Sequence, residues 1–303
     1  MPQLSTPVSC RSARGNALRA LVSRTARPLA AAGLVLVTAC SMPDYSPVRD
    51  WAANASRAAD YSTVGLRCVP RAEQPAAGPD QLQDGILAMQ HVVSTYLSAL
   101  VTLASDGLLT YRQDPFAELA PRIRAVSEAG GTAAAALGAV LRHATIDGNQ
   151  APDLDDTIVA SDAPFQVLVT ALSDAVARAG LGEADARGQA AAAYAQLVSG
   201  APEGAPRQAA RDAAALRDRE FAAAAAARAN YIALLRRIGE GHALLKERAP
   251  RLAQEETARH VRASDDQVQR AAALLPRGLL SLQGSLACAE PPPVVGIPPS
   301  TRR

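Results

Sequence analysis

The chain has 303 residues, of which 49 % are hydrophobic but only 3 % aromatic, so its core must be built from Ala, Leu and Val rather than large rings. Alanine favours helix over strand, and with 20 Gly and 21 Pro as breakers the composition predicts an all-α protein. The formal net charge of +2 rests on five arginines within residues 1–39 (Arg11, Arg14, Arg19, Arg24 and Arg27), a stretch without acids. The remainder holds 26 basic against 29 acidic residues, a mixed surface lacking the basic footprint that displaces counterions from a polyphosphate, which argues against a nucleic-acid partner.

Those arginines precede an apolar run from Leu29 to Ala39 and then Cys40. Charged and apolar regions in this order form a secretory signal, and the run is too short to span a bilayer, which needs about 20 residues. Val37-Thr38-Ala39-Cys40 resembles the lipobox of bacterial lipoproteins. The resemblance covers the leader alone. It implies cleavage after residue 39, acylation of Cys40 and, with Ser41 rather than Asp following, sorting to the outer membrane. Several acyl chains, each buried methylene contributing about 0.8 kcal/mol, make such an anchor permanent. Of four cysteines, Cys10 falls in the leader and Cys40 takes lipid, leaving Cys68 and Cys288 either as a disulfide in an oxidising compartment or as two unpaired thiols. The disulfide is expected, flanking the helical region at both ends.

Residues 40–80 read as a polar, Pro-punctuated tether with one short helix near Asp50 to Asp60 carrying Trp51. A helical domain is predicted over 81–288, and Pro291, Pro292, Pro293, Pro298 and Pro299 mark 289–303 as an extended, disordered tail. Within the domain, Asp80 and Gln83 open a helix whose Leu82, Ile86, Met89, Val93, Tyr96, Leu100 and Leu103 form a heptad-like seam. Its stop is Asp106-Gly107, with the glycine expected in the left-handed conformation. Asp114-Pro115 starts a second helix through Phe116, Leu119, Ile123 and Val126, broken or kinked at Gly130-Gly131 before a run through Leu137 and Leu141 to about His143. After the turn Asp147-Gly148-Asn149, Asp153 reads as a helix cap with Asp155 and Asp156 in the first turn, and Asp162-Ala163-Pro164 as a helix start leading through Phe165, Leu168, Val169, Leu172 and Val176 to Gly180.

An Ala-rich segment from Ala184 to Val198 and a loop from Pro202 to Pro206 precede the longest predicted helix, Arg207 to Arg248, with Phe221, Ala224, Arg228, Tyr231, Leu235, Ile238, His242 and Leu245 as its seam. A final helix after Pro250, its seam running from Val261 to Leu286, is expected to bend at Pro276. The expectation is thus an elongated bundle of about six helices. Tyr96 to Leu100 aligns with Tyr231 to Leu235, which suggests two related antiparallel helices at its centre.

No phosphate-binding glycine loop, nucleophile elbow or zinc-helix motif is present. Glu256 and His260 are spaced to share a metal, but the wider pattern of a di-iron site is missing, and a surface contact is expected. His242 stands out, a polar residue on the apolar seam of the longest helix with Arg228 and Tyr231 on the same stripe and Glu240 nearby. Two functions follow. The first is a non-enzymatic envelope lipoprotein without cofactor, held in membrane lipid through Cys40, whose helices scaffold or bind a protein of the envelope. The alternative is a periplasmic enzyme or small-ligand binder with its site in the bundle interior around His242, Tyr231 and Arg228.

Overall fold

The computed structural model describes residues 44–61, 79–146 and 154–276. Cys10, Cys40, Cys68 and Cys288, the leader, the tail and the Asp147 to Asp153 loop lie outside them. The described part, within one compact unit spanning Pro43–Arg303, is an all-α bundle with no strand among the described residues. In order these are α1 (Ser46–Ala59), α2 (Pro79–Leu103), α3 (Leu119–Arg124), α4 (Glu128–Ile146), α5 (Leu154–Ala179), α6 (Glu183–Gly200), α7 (Ala205–Arg248) and α8 (Glu255–Ala273), with one 3-10 turn at Ala249–Arg251.

Helix α1 is the short helix expected near Asp50 to Asp60, and it belongs to the bundle rather than to a tether. Pro47 sits in its first turn, where a missing N–H costs nothing, and Val48, Trp51, Ala52, Ala55 and Ala59 recur on one face and are buried. That face packs between α2 and α8. Asn54 donates to both carboxylate oxygens of Asp265 on α8 at 2.9 and 3.0 Å, and Ser56 donates to the Ser94 carbonyl on α2 at 2.8 Å.

The seam predicted for α2 is buried from Ile86 to Leu103. By length and composition α2 could cross a membrane, but 61 % of its most apolar window is buried inside the bundle, as befits a core helix. At its end Asp106, not Gly107, takes the positive φ of 54°. The glycine serves close approach instead: its N–H bonds the Thr102 carbonyl at 2.9 Å, and a Cβ would lie 2.8 Å from that oxygen.

Asp114 caps the turn before α3 by accepting from the Phe116 N–H at 2.8 Å. Gly130-Gly131 does not break a helix: Ser127 caps α4, accepting from the Gly130 N–H at 3.1 Å, and both glycines lie in the first turn of α4. Helix α5 starts at Leu154 and passes through Pro164, so Asp162 lies inside it rather than at its start. The residue whose carbonyl loses its donor to the proline ring is Ala160, which is exposed, so the lost bond falls on the solvent side of α5 while the opposite face is held in the core. Helix α8 ends at Ala273, and Pro276 lies beyond it rather than bending it. Leu279, Leu282 and Leu286 fall outside the described residues.

At 1.5 Å per residue α7 is about 66 Å long and lives in two environments. From Ala227 to Leu245 its seam is buried against α5, α8 and α1. Before Phe221 it has no buried residue and packs on α6, none of whose residues is buried either. The two form an antiparallel hairpin arm, closed at its tip by Arg207, which donates twice to the Ala201 carbonyl at 3.2 and 3.0 Å.

Candidate functional site

The buried half of α7 carries His242, which has no exposed surface. Its ring stacks on Phe165 of α5, centroids 4.5 Å apart at 29°, and lies 5.6 Å from the Tyr96 ring of α2. Nδ1 is 3.0 Å from Asp162 Oδ1 and Nε2 is 2.7 Å from the Tyr96 hydroxyl. Tyr96 also hydrogen-bonds Ser161 Oγ, which donates to the Thr157 carbonyl at 2.6 Å. The second carboxylate oxygen of Asp162 accepts from Lys246 Nζ at 2.9 Å, one turn along α7. Gln166 joins the same helices, donating to Asp162 Oδ1 at 3.2 Å and to the Gly239 carbonyl at 2.9 Å.

This chain of polar groups runs Ser161, Tyr96, His242, Asp162, Lys246. Only Lys246 reaches solvent, half exposed, while Tyr96, Ser161 and His242 are fully buried. Donors from His242, Lys246 and Gln166 outweigh burial and hold the Asp162 carboxyl well below the usual carboxylate range. Burial pushes the Tyr96 hydroxyl up and the His242 imidazole down, the latter opposed by Asp162. An ionised carboxylate only accepts, so Nδ1 of His242 carries the hydrogen, and Nε2 of the neutral ring accepts from Tyr96.

The three residues proposed as an interior site are not brought together. Along α7, Tyr231 lies about 16 Å and Arg228 about 21 Å from His242. The Tyr231 hydroxyl donates to the Ala59 carbonyl at 2.6 Å and accepts from Gln90 at 3.0 Å, tying α7 to α1 and α2. Arg228 pairs with Glu183 at the root of the hairpin. Glu240 is exposed and pairs with Arg237 at 2.7 Å. Tyr96 and Tyr231, matched in sequence, sit in two different polar clusters. The contacts from Gln90 to Tyr231 and from Tyr96 to His242 ascend together, so α2 and α7 run in the same sense where they meet, not antiparallel.

His260 Nδ1 faces the Glu256 carbonyl at 2.8 Å, while the Glu256 carboxylate pairs with Arg248 at 3.4 Å; the two make a surface contact, not a shared ligand set. His91 and His143 are exposed. Among the described residues no cluster of three or more His, Cys, Asp or Glu has metal-holding geometry. Cys40, Cys68 and Cys288 lie outside the described residues.

A concave surface lies away from His242. A groove of about 370 Å³ runs between α6 and the exposed half of α7, lined by Tyr194, Val198, Arg211 and Phe221 among others. Arg217 lies over the Phe221 ring at 4.8 Å, and Arg187 bridges the helices to Asp218 at 2.7 Å. In the sequence this arm is an Ala-rich segment, a loop from Pro202 to Pro206 and the start of the longest helix. No protein-family model, curated protein or solved structure matches the chain.

Proposed function

We propose that this is a non-enzymatic lipoprotein of the bacterial envelope, anchored in outer-membrane lipid through acylated Cys40, that uses the hairpin of α6 and the first half of α7 as an arm to bind a protein partner. The single observation that carries the partner-binding reading is that α6 has no buried residue of its own. Along its 18 residues α6 gains cover from α7 on one side only, which leaves its outer face open to solvent. The groove beside it offers Tyr194 and paired arginines, residue types that dominate binding energy at interfaces.

The leader motif and the mixed charge support the envelope address, and the proposed Cys68–Cys288 disulfide belongs to the same reading. The alternative, chemistry at His242, loses support because nothing dissolved in water reaches a fully buried imidazole unless helices part. The test is excision of residues 184–224 with a short Gly/Ser linker. The shortened chain should still melt cooperatively but should migrate at its own mass after gentle detergent extraction, where the wild type migrates in a larger complex. Equal migration of both would remove the arm as the binding element.

A further inference from the structure

The buried chain around His242 has a feature that packing alone does not require. A residue of this shape on the seam of α7 could be Phe or Leu, and either would spare the core a polar group. Instead the ring joins three helices at once, Phe165 and Asp162 from α5, Tyr96 from α2 and its own α7. The charged and titratable groups facing it are Asp162, Tyr96 and Lys246. At the neighbouring turn, α1 and α8 face Gly241 with Trp51 and Ser264, which carry no charge.

Each polar atom of the neutral ring is satisfied: Nδ1–H donates to Asp162 and Nε2 accepts from Tyr96. Asp162 already neutralises Lys246 at 2.9 Å. A proton added at Nε2 would place two cations on one carboxylate, the new one on a ring with no exposed surface. It would also turn that nitrogen from acceptor to donor, so the Tyr96 hydrogen must leave it and swing to Ser161 Oγ, whose own hydrogen is given to the Thr157 carbonyl. We propose that His242 is an acid-sensitive lock: uncharged, it ties α7 to α5 and α2, and proton uptake releases α7 from them.

The sign follows from burial. The native imidazole is held below its ordinary value of 6.5, so the unfolded or released chain binds the proton first. The lock is complete above pH 6.5 and is lost as pH falls from there towards the native value. With one proton taken up on release, the equilibrium constant for closure falls by up to tenfold per pH unit across that window. Because α7 also carries the hairpin, release loosens the root of the arm, yet the lock stands whether or not the arm binds a partner.

The experiment uses the purified full chain labelled with 15N-histidine. His242 is identified by its absence in His242→Gln, with His91, His143 and His260 as internal references. At pH 7 His242 should show the neutral Nδ1–H pattern and should keep it below pH 6.5. In parallel, amide protection factors, exchange corrected for its hydroxide-catalysed intrinsic rate, should fall in residues 155–166 and 234–246 between pH 6.5 and 5 in the wild type and stay flat in His242→Gln, whose amide can meet Asp162 and Tyr96 without titrating. A charged His242 at pH 7 would overturn the proposal. So would the same exchange profile in both chains. If His242→Gln fails to fold, Phe165→Leu, which removes the stacked ring and leaves the titrating group, serves to assign the resonance, and the wild-type titration decides alone.

Discussion

Gly241 and Gly188 are both helical glycines with opposite surroundings. A Cβ on Gly241 would come within 2.6 Å of Trp51 Nε1 and 2.7 Å of Ser264 Oγ, and the fully buried indole has no room to retreat. Nothing lies within 4 Å of a Cβ on Gly188. Gly188→Ala should therefore stabilise the arm by about 0.5–1 kcal/mol through helix propensity alone. Gly241→Ala gains the same propensity but overpacks the core at about 1–3 kcal/mol, so it should be neutral to destabilising by about 2 kcal/mol. Urea melts of the two variants check this, and a stabilised Gly241→Ala would show that α1 does not pack on α7 as described. At this scale the sequence told half the story. His242 was visible as a polar residue on an apolar stripe, but its partners were not, because Tyr96 reads as core and Asp162 before Ala163-Pro164 reads as a helix cap. A signal was present in Ile158, Ser161, Asp162 and Phe165, which share one helix face and set two polar groups among apolar ones. Lys246, the only lysine in the chain, follows His242 by one turn.

Among the elements, α2, α5 and the buried half of α7 were legible because large apolar residues recur every three or four positions. Helix α1 was not. Its stripe is one tryptophan among alanines, weakly apolar one by one, and its prolines resemble a linker although Pro47 opens the helix. Burial of Trp51 nonetheless makes α1 a structural element, and Trp51→Ala should cost about 3–5 kcal/mol in a denaturant melt. A loss below 1 kcal/mol would mean that α1 behaves as the tether the sequence suggested. The two-sided character of α7 escaped sequence reading for a related reason: its predicted seam continued through Ala224 and Arg228, but only the body supplies neighbours that bury it. The structure instead buries Ala227 and turns Arg228 to Glu183.

For the whole molecule, the all-α class followed from composition, whereas the anchor and the cross-link rest on residues outside those described. Labelled fatty acid should enter the wild type and not Cys40→Ala; equal labelling would remove the lipid anchor. Non-reducing mass spectrometry of the exported chain should find Cys68 joined to Cys288, and two free thiols would contradict it. If the bridge forms, its reduction should cost about 2–4 kcal/mol by freeing a long loop in the unfolded chain. The central claim, that the hairpin is the binding arm, is tested most directly by crosslinking in living cells. A photoreactive residue replaces Ala191 or Ala195, which line the groove on α6, and, as controls, Val159 or Val167, 48 % and 43 % exposed on α5. Discrete adducts of one mass from the arm, and none from α5, are the predicted result; adducts from α5 with none from the arm would contradict it.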